Sequence, residues 1–318
     1  MTLIEELAGE FSLGASHVRQ IVDSAPRRYK VYQIPKRHGG FRTIAQPSRE
    51  LKAIQRYIIA SKLTKLQVHA AATAYVVKKN ILQNAQIHQE SRVILKLDFT
   101  DFFPSVLTRD WTRYVREELN AEFLRRDVGV FAKILFWGRG TNTPTCLSIG
   151  APSSPILSNI LMYRLDCQFD ALAQEYNVKY SRYADDITIS GQSIEDVTSF
   201  ETAARNIIKD TRSPKLRFND GKRGLYLRGQ RRMITGLILT PSGQISIGRE
   251  RKRLISAMAH HVLMGTATDE ERARLKGLLG FSIGTEPAFV SRLRQKYGNA
   301  VIDGVLEYHV PGFVPLQQ

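Results

Sequence analysis

The chain has 318 residues, 43% hydrophobic and 24% charged, which gives one large or two modest domains and is too apolar for a disordered chain. Its two cysteines, Cys146 and Cys167, form no CxxC and have no histidines at ligand spacing, which excludes a disulfide scaffold or zinc ribbon and suits a reducing compartment. Lys and Arg number 46 against 30 Asp and Glu, a formal +16, so the expected partner is a polyanion: nucleic acid first, an anionic membrane surface second.

The basic excess is concentrated. Residues 19–65 hold 12 basic and 2 acidic side chains, residues 205–232 hold 10 and 2, and the rest of the chain is slightly acidic. The opening MTLIEELAGEF is acidic where a signal peptide is basic. No apolar run nears the roughly 18 residues that span a bilayer, so a cytoplasmic protein outside the membrane is expected.

In chain order, the first 25 or so residues predict a short amphipathic helix ending near Ala25-Pro26. Residues 29–47 predict two strands around a Gly39-Gly40 turn, with basic side chains on or beside it. Leu51, Ile54, Ile58, Ile59 and Leu63 recur at helical spacing between Arg49 and about Leu66. RVILKLDF, 92–99, has the continuous apolar run of a strand covered on both faces. A helix is expected from Thr108, placed to cap it. Residues 155–173 predict a buried helix opened by a proline. Residues 178–190 predict two strands closed by a tight turn at Ala184-Asp185-Asp186. A helix over about 195–210 follows, then short strands near 225–227, 233–239 and 244–247. From Arg249 the pattern is helical, with breaks at 265–268 and 283–287. The expected class is α+β with a helical appendage.

Asp98 ends an apolar strand and Asp185-Asp186 occupy a hairpin turn. Carboxylates there are costly unless they are paired or bind a cation. Mg²⁺ is the natural relief, being a hard cation bound by one or two carboxylates and substrate phosphates. Two such ions roughly 3.5–4 Å apart activate an attacking hydroxyl and stabilise a leaving oxygen. In a basic protein the matching chemistry is nucleotidyl transfer. The plain alternative is solvated turn chemistry, for which Asp-Asp is common.

YADD at 183–186, preceded by LDFTDFFPSV at 97–106, resembles motifs C and A of reverse transcriptases. GAPSSPILSN at 150–159 resembles motif B, IPKRHGGFRTIAQP at 34–47 the fingers motifs, and FNDGK at 218–222 motif D. The resemblance covers residues 29–318, with the motifs in the family's order. NAQIH at 84–88 and Ile234-Thr235-Gly236 resemble the NAxxH and VTG elements of retron reverse transcriptases. The resemblance implies a right-hand polymerase: an N-terminal helical segment 1–28, fingers 29–97, palm 98–245 with a fingers-contributing insertion at about 108–148, and helical thumb 246–318.

It also implies roles. Asp98, Asp185 and Asp186 are the expected catalytic and metal-binding triad, with the Phe99 carbonyl as a further metal ligand and two Mg²⁺ ions as cofactor. Phe103 matches a steric gate against a ribose 2′-OH, or packs in the core with Phe102. Lys36 and Arg42 match residues gripping the incoming triphosphate, or belong to a solvated basic hairpin. Lys222 matches a lysine that protonates leaving pyrophosphate. Gly150 permits close backbone approach at the nucleotide, but Ile149 stands where the family commonly has Gln. Asn84 and His88 share a helix face and are structural or RNA-contacting; Thr235 and Gly236 go with them. Arg249, Arg251, Lys252 and Arg253 open a thumb helix that lies on nucleic acid, or form a solvated face.

The implied activity is retron-type reverse transcription of part of a cognate structured non-coding RNA. Priming from a guanosine 2′-OH gives branched, RNA-linked single-stranded DNA, used with an effector or toxin in anti-phage defence. The partners are that RNA, its RNA–DNA product, dNTPs and the effector. Competing readings are another bacterial reverse transcriptase, an RNA-binding scaffold that sequesters a toxin, and a template-free polymerase.

Overall fold

The computed structural model describes residues 1–36, 39–119 and 125–309. The chain divides into two compact units, Met1–Asn80 with Arg92–Leu225, and Ile81–Ser91 with the residues from Tyr226 onward. No helix among the described residues is long and apolar enough to cross a membrane.

The first unit opens with two helices where one was expected, Leu3–Glu10 and Ala15–Ser24. Thr2 caps the first through a reciprocal pair with Glu5, which satisfies amide groups left without helical partners. Ser12 then takes a left-handed φ of 52°, and the chain turns before Gly14 restarts it. Leu3, Leu7, Val18, Ile21 and Val22 join a core with Ile54, Ile58, Trp111 and Phe131. Strands β1 (Tyr29–Pro35) and β2 (Phe41–Pro47) form an antiparallel hairpin paired from Tyr29↔Pro47 to Pro35↔Phe41. Most of β1 is exposed, so the hairpin is held mainly at its base. There the Ala45 amide donates to the Ile149 carbonyl at 2.9 Å.

A four-stranded sheet carries the centre of this unit. Its order is β4 (Lys179–Tyr183), β5 (Asp186–Gly191), β3 (Val93–Asp98), β6 (Gly224–Leu227). Successive side chains alternate between faces. Leu95, Leu97, Ile187 and Ile189 pack on one face against Phe169 of the helix Tyr163–Glu175 and Phe200 and Ala204 of the helix Ile194–Asp210. Asp98 and Asp186, paired in register, project from the other. Burying one such Leu or Ile contributes about 1.5–3 kcal/mol, so the apolar face fixes the register that aligns the carboxylates.

Two expectations are corrected here. The predicted helix 155–173 is two helices, Ser153–Leu161 and Tyr163–Glu175, meeting at Met162. Thr108 begins the helix Thr108–Arg113 but does not cap it: the Leu107 amide is satisfied by the Asp110 carboxylate.

In the second unit the helix Ile81–His88 packs on strands β7 (Arg232–Ile234), β8 (Leu237–Leu239) and β9 (Ile245–Ser246). Four helices follow: Arg249–Leu263, Asp269–Thr285, Pro287–Tyr297 and Asn299–Glu307. A Thr268–Glu271 capping box starts the second and Pro287 opens the third, so these two breaks fall where turn chemistry predicted them; a third, at Gly298, was not expected. Residues 81–91 and 226–245 thus cluster with the helical tail, across the expected fingers and palm borders.

Candidate active site

Tyr183 pairs with Asp186, leaving Ala184 and Asp185 as a two-residue turn. Ala184 has φ 59°, a left-handed conformation that costs an alanine energy and needs outside support. Arg182 gives that support. Its Nη1 donates to the Ala184 carbonyl at 3.1 Å and to Asn159 Oδ1 at 3.0 Å. Its Nε and Nη2 form a bidentate pair with Asp166 at 2.8 and 2.6 Å. The pair is fully buried, and the Tyr180 hydroxyl also donates to Asp166 at 2.7 Å. Burial pushes the Tyr180 hydroxyl pKa far up, so the phenol stays a donor.

The main chain of Arg182, together with Asn159, also anchors the neighbouring segment 73–74. The Thr73 amide and hydroxyl donate to the Arg182 carbonyl at 2.8 and 3.0 Å, and Asn159 Nδ2 donates to the Ala74 carbonyl at 2.8 Å. Tyr75 follows, with a left-handed φ of 60° and its ring half exposed. Burial, then the charges of Asp185 and Tyr183, push its hydroxyl pKa up, and Arg42 opposes them. Arg42 also opposes the rise in the pKa of Asp185, so the β1–β2 hairpin and the carboxylate turn lie in electrostatic reach of one another.

The three aspartates crowd each other. Burial and then the charge of Asp98 raise the pKa of Asp185. Asp186 is pushed up to about 6, by burial first and by Asp185 and Asp98 next, against the pull of Lys96. The backbone locks the arrangement: the Phe99 amide donates to the Asp185 carbonyl at 3.2 Å and the Asn219 amide to the Asp98 carbonyl at 2.8 Å. Lys222 Nζ sits on both Asp98 oxygens at 2.8 Å. Burial disfavours that ammonium, but Asp98, with Asp185 and Asp186, outweighs it and raises its pKa.

Among the described residues no three acidic, histidine or cysteine side chains gather closely enough to hold an ion; the Asp98 carboxylate is turned onto Lys222 instead. The donor chemistry nevertheless fits a hard divalent cation. Asp98 and Asp186 face each other across paired strands, raised pKa values register mutual repulsion, and Lys222 supplies the positive charge the cluster lacks. Hard oxygens at a negatively charged focus are Mg²⁺ chemistry.

The remaining expected residues fall in three groups. Phe99 is buried and stacked on Phe102 and Phe218, while Phe103 is half-buried against Phe102; Phe102 therefore takes the core role and Phe103 is the ring left partly open. Lys36 and Arg42 are exposed on the hairpin. Gly150 has φ 125°, and a Cβ there would lie 3.0 Å from the Ala45 carbonyl. Its close approach is thus to strand β2.

Asn84 and His88 are buried and already have partners. Their side chains are thus enclosed in this structure, an observation on the side of the structural alternative. Thr235 and Gly236 form the turn between β7 and β8, both with positive φ. The Thr235 hydroxyl donates to the Ile81 carbonyl at 3.3 Å, so this turn is tied to the first residue of the helix Ile81–His88, which carries Asn84 and His88. Lys252 is tied to Glu286, and Arg251 lies over the Phe281 ring. Arg249 and Arg253 are exposed, with no ion pair among the described residues. The buried Arg182, Asp166 and Asn159 and the strained Tyr75 were missed from sequence. A charged residue inside a strand of buried neighbours was the available signal.

The reverse transcriptase (RNA-dependent DNA polymerase) family model matches residues 34–247. A retron Ec83 reverse transcriptase of Escherichia coli is 36% identical over 286 residues, 89% of this chain and 91% of the relative. A retron Ec86 reverse transcriptase of the same organism is 31% identical over 94% of this chain and 91% of its own length. Apo telomerase from Candida tropicalis has a similar fold, with TM-score 0.50 at 10% identity over 89% of this chain; the chain spans 62% of that structure's length.

The chain belongs to the reverse transcriptase family and is an RNA-directed DNA polymerase with a right-hand fold, dependent on divalent metal. Within that family its curated relatives make it a retron-type enzyme with an RNA partner.

Proposed function

We propose that the enzyme copies part of a cognate structured non-coding RNA, starting from the 2′-OH of a guanosine in that RNA and leaving a branched, RNA-linked single-stranded DNA. The product acts with an effector or toxin protein in anti-phage defence. The observation that carries the polymerase site is the alignment of Asp98 with Asp186 beside the Ala184-Asp185 turn, in a protein of net charge +16.

Asp98, Asp185, Asp186 and the Phe99 carbonyl are the residues to hold two Mg²⁺ ions, which when bound supply activation of the attacking hydroxyl and stabilisation of the leaving pyrophosphate oxygen. Lys222 holds the Asp98 carboxylate; with a cation bound at that carboxylate, its ammonium would be free to donate a proton to pyrophosphate. Arg42 and Lys36 steady the triphosphate, the planar guanidinium by paired hydrogen bonds and the ammonium as a point charge. The partly open ring of Phe103 excludes a ribose 2′-OH by volume. Gly150 serves the nucleotide indirectly, by letting its segment lie on β2. Arg249 and Arg253 bind RNA phosphates on the thumb, and Arg251 and Lys252 hold that helix in place. The protein works in the cytoplasm.

The test is the nucleic acid that co-purifies when the gene is expressed with its flanking DNA, before and after RNase and debranching treatment. A discrete single-stranded DNA joined to RNA through a debranchable bond is expected, and it should be absent from an Asp185→Asn, Asp186→Asn variant. Structured RNA in both samples with DNA in neither would contradict the reading.

A further inference from the structure

Two open concavities of about 570 and 800 Å³ adjoin on the first unit and share Arg109 and Arg212. The helix Thr108–Arg113 and the turn after it form one wall; the end of the helix Ile194–Asp210 and the following loop form the other. Arg109, Arg116, Lys209, Arg212 and Lys215 line this groove. All five are exposed, and none has an ion pair among the described residues. The carboxylates nearby are largely spent elsewhere. Asp110 is buried, accepting the Leu107 amide and the Ser213 hydroxyl, both at 2.7 Å, so it ties the walls together. Glu117 is held by Arg113 at 2.7 Å. Among the described lining residues Asp210 alone is left on the rim.

The groove is distinct from the polymerase site. The helix Ile194–Asp210 covers the sheet face formed by Leu95, Leu97, Ile187 and Ile189, and strand alternation sends Asp98 and Asp186 to the opposite face. A strand lying in the groove is therefore not the template being copied at the carboxylates.

We propose that this groove binds the sugar–phosphate backbone of a second, non-templating part of the bound RNA. The proposal rests on the reading that the protein holds a structured RNA. Five unpaired cations lining one concave surface repel each other, and a polyanion relieves that repulsion and releases counterions. Arginines outnumber lysines among the five, and the guanidinium fork matches phosphate oxygens. An acidic protein is the poorer fit. Protein interfaces depend on buried aromatic and aliphatic anchors, and none of the exposed large hydrophobics of the described residues lies in residues 108–118 or 209–215.

The test is a full-length Arg109→Gln, Arg212→Gln, Lys215→Gln variant with three readouts. On an oligo(dT)-primed poly(rA) template its extension rate should match wild type, since no residue of the polymerase site changes. Its affinity for a 30-base-pair RNA duplex, and for the RNA that co-purifies with the wild-type chain, should fall about 30- to 100-fold at 150 mM salt, with a log affinity–log salt slope shallower by about 2–3. Unchanged affinity and slope would overturn the groove while leaving the polymerase reading intact. Unchanged RNA affinity with lost binding to polyglutamate would assign the groove to an acidic protein and equally overturn it. If the variant fails to fold, photo-crosslinking of 4-thiouridine RNA to the wild-type protein decides. Crosslinks within 109–116 or 209–215 are expected, and crosslinks confined to residues beyond 226 would contradict the proposal. If no RNA co-purifies, the parent reading fails, and the duplex measurement still tests the groove.

Discussion

Replacing Arg182 by Met removes a guanidinium that ties strand β4 to three partners, Asp166, Asn159 and the Ala184 carbonyl. The substitution deletes two hydrogen bonds to Asp166, one to Asn159 and one to the Ala184 carbonyl. Both charges of the ion pair are fully buried, so among the described residues Asp166 keeps only Tyr180 as a side-chain donor. Breaking a buried pair from one side costs about 3–5 kcal/mol, because the stranded charge is not resolvated. For a unit of roughly 200 residues that lowers Tm by about 6–20 °C. Ala184 also loses the donor that sustains its left-handed turn, and Asp185 moves with it. The expected result in thermal denaturation and RNA-templated primer extension is a large Tm loss, with activity reduced at temperatures where the variant is still folded. An Arg182→Met, Asp166→Leu double variant should recover much of the Tm, since apolar replacement of a buried pair is often neutral, but not the activity. A single variant within 1 kcal/mol of wild type, or a double variant as active as wild type, would refute the reasoning.

Other substitutions probe neighbouring parts. Asp186→Asn, without metal at pH 7, should stabilise the protein by about 1–3 kcal/mol; its folded pKa is raised to about 6, so wild type bears the charge penalty above that pH and loses it as pH falls, and denaturation at pH 5 should show a smaller gap. For the same reason the Mg²⁺ concentration giving half-maximal extension should climb as pH drops through about 6, because protons compete for the raised carboxylates. Lys222→Gln should slow extension about 10²-fold or more if the ammonium is a general acid, while lowering the half-saturating Mg²⁺, since the lysine no longer competes for Asp98; a slower enzyme with unchanged metal dependence would count against that competition. Gly150→Ala should destabilise by about 1–3 kcal/mol and raise KM for dNTP, because its Cβ would meet the Ala45 carbonyl at the base of the hairpin; an unaltered Tm would contradict the contact.

The apolar run and turn chemistry located the strand ending at Asp98 and the hairpin turn at Asp185 to within a residue, because a continuous apolar run and a two-residue turn are local properties. What they could not give was partnership across the chain. Arg182 lies in a strand whose pattern alone does not reveal that it meets Asp166 sixteen residues earlier and Asn159 twenty-three earlier. Met162 splits a helix that apolar spacing runs through, since the break is set by how two faces pack. Asn84 and His88, at i and i+4, were open to a structural or an RNA-contacting reading, and only the packing of their helix on β7–β9 shows that they are buried. Gly150 was legible as a glycine needed for close approach, but only the fold names strand β2 as what it approaches. The basic excess of residues 205–232 was visible from composition; its convergence with Arg109 and Arg116 on one groove was not.

The most direct measurement of the central claim is extension of a DNA primer on a heteropolymeric RNA by the purified chain, with the product sequenced. The account predicts DNA complementary to the RNA, made with Mg²⁺, abolished by EDTA, and reduced at least 10³-fold in separate Asp98→Asn and Asp185→Asn variants that remain folded. Full-length synthesis by either variant, synthesis in EDTA, or a product whose sequence ignores the template would contradict it.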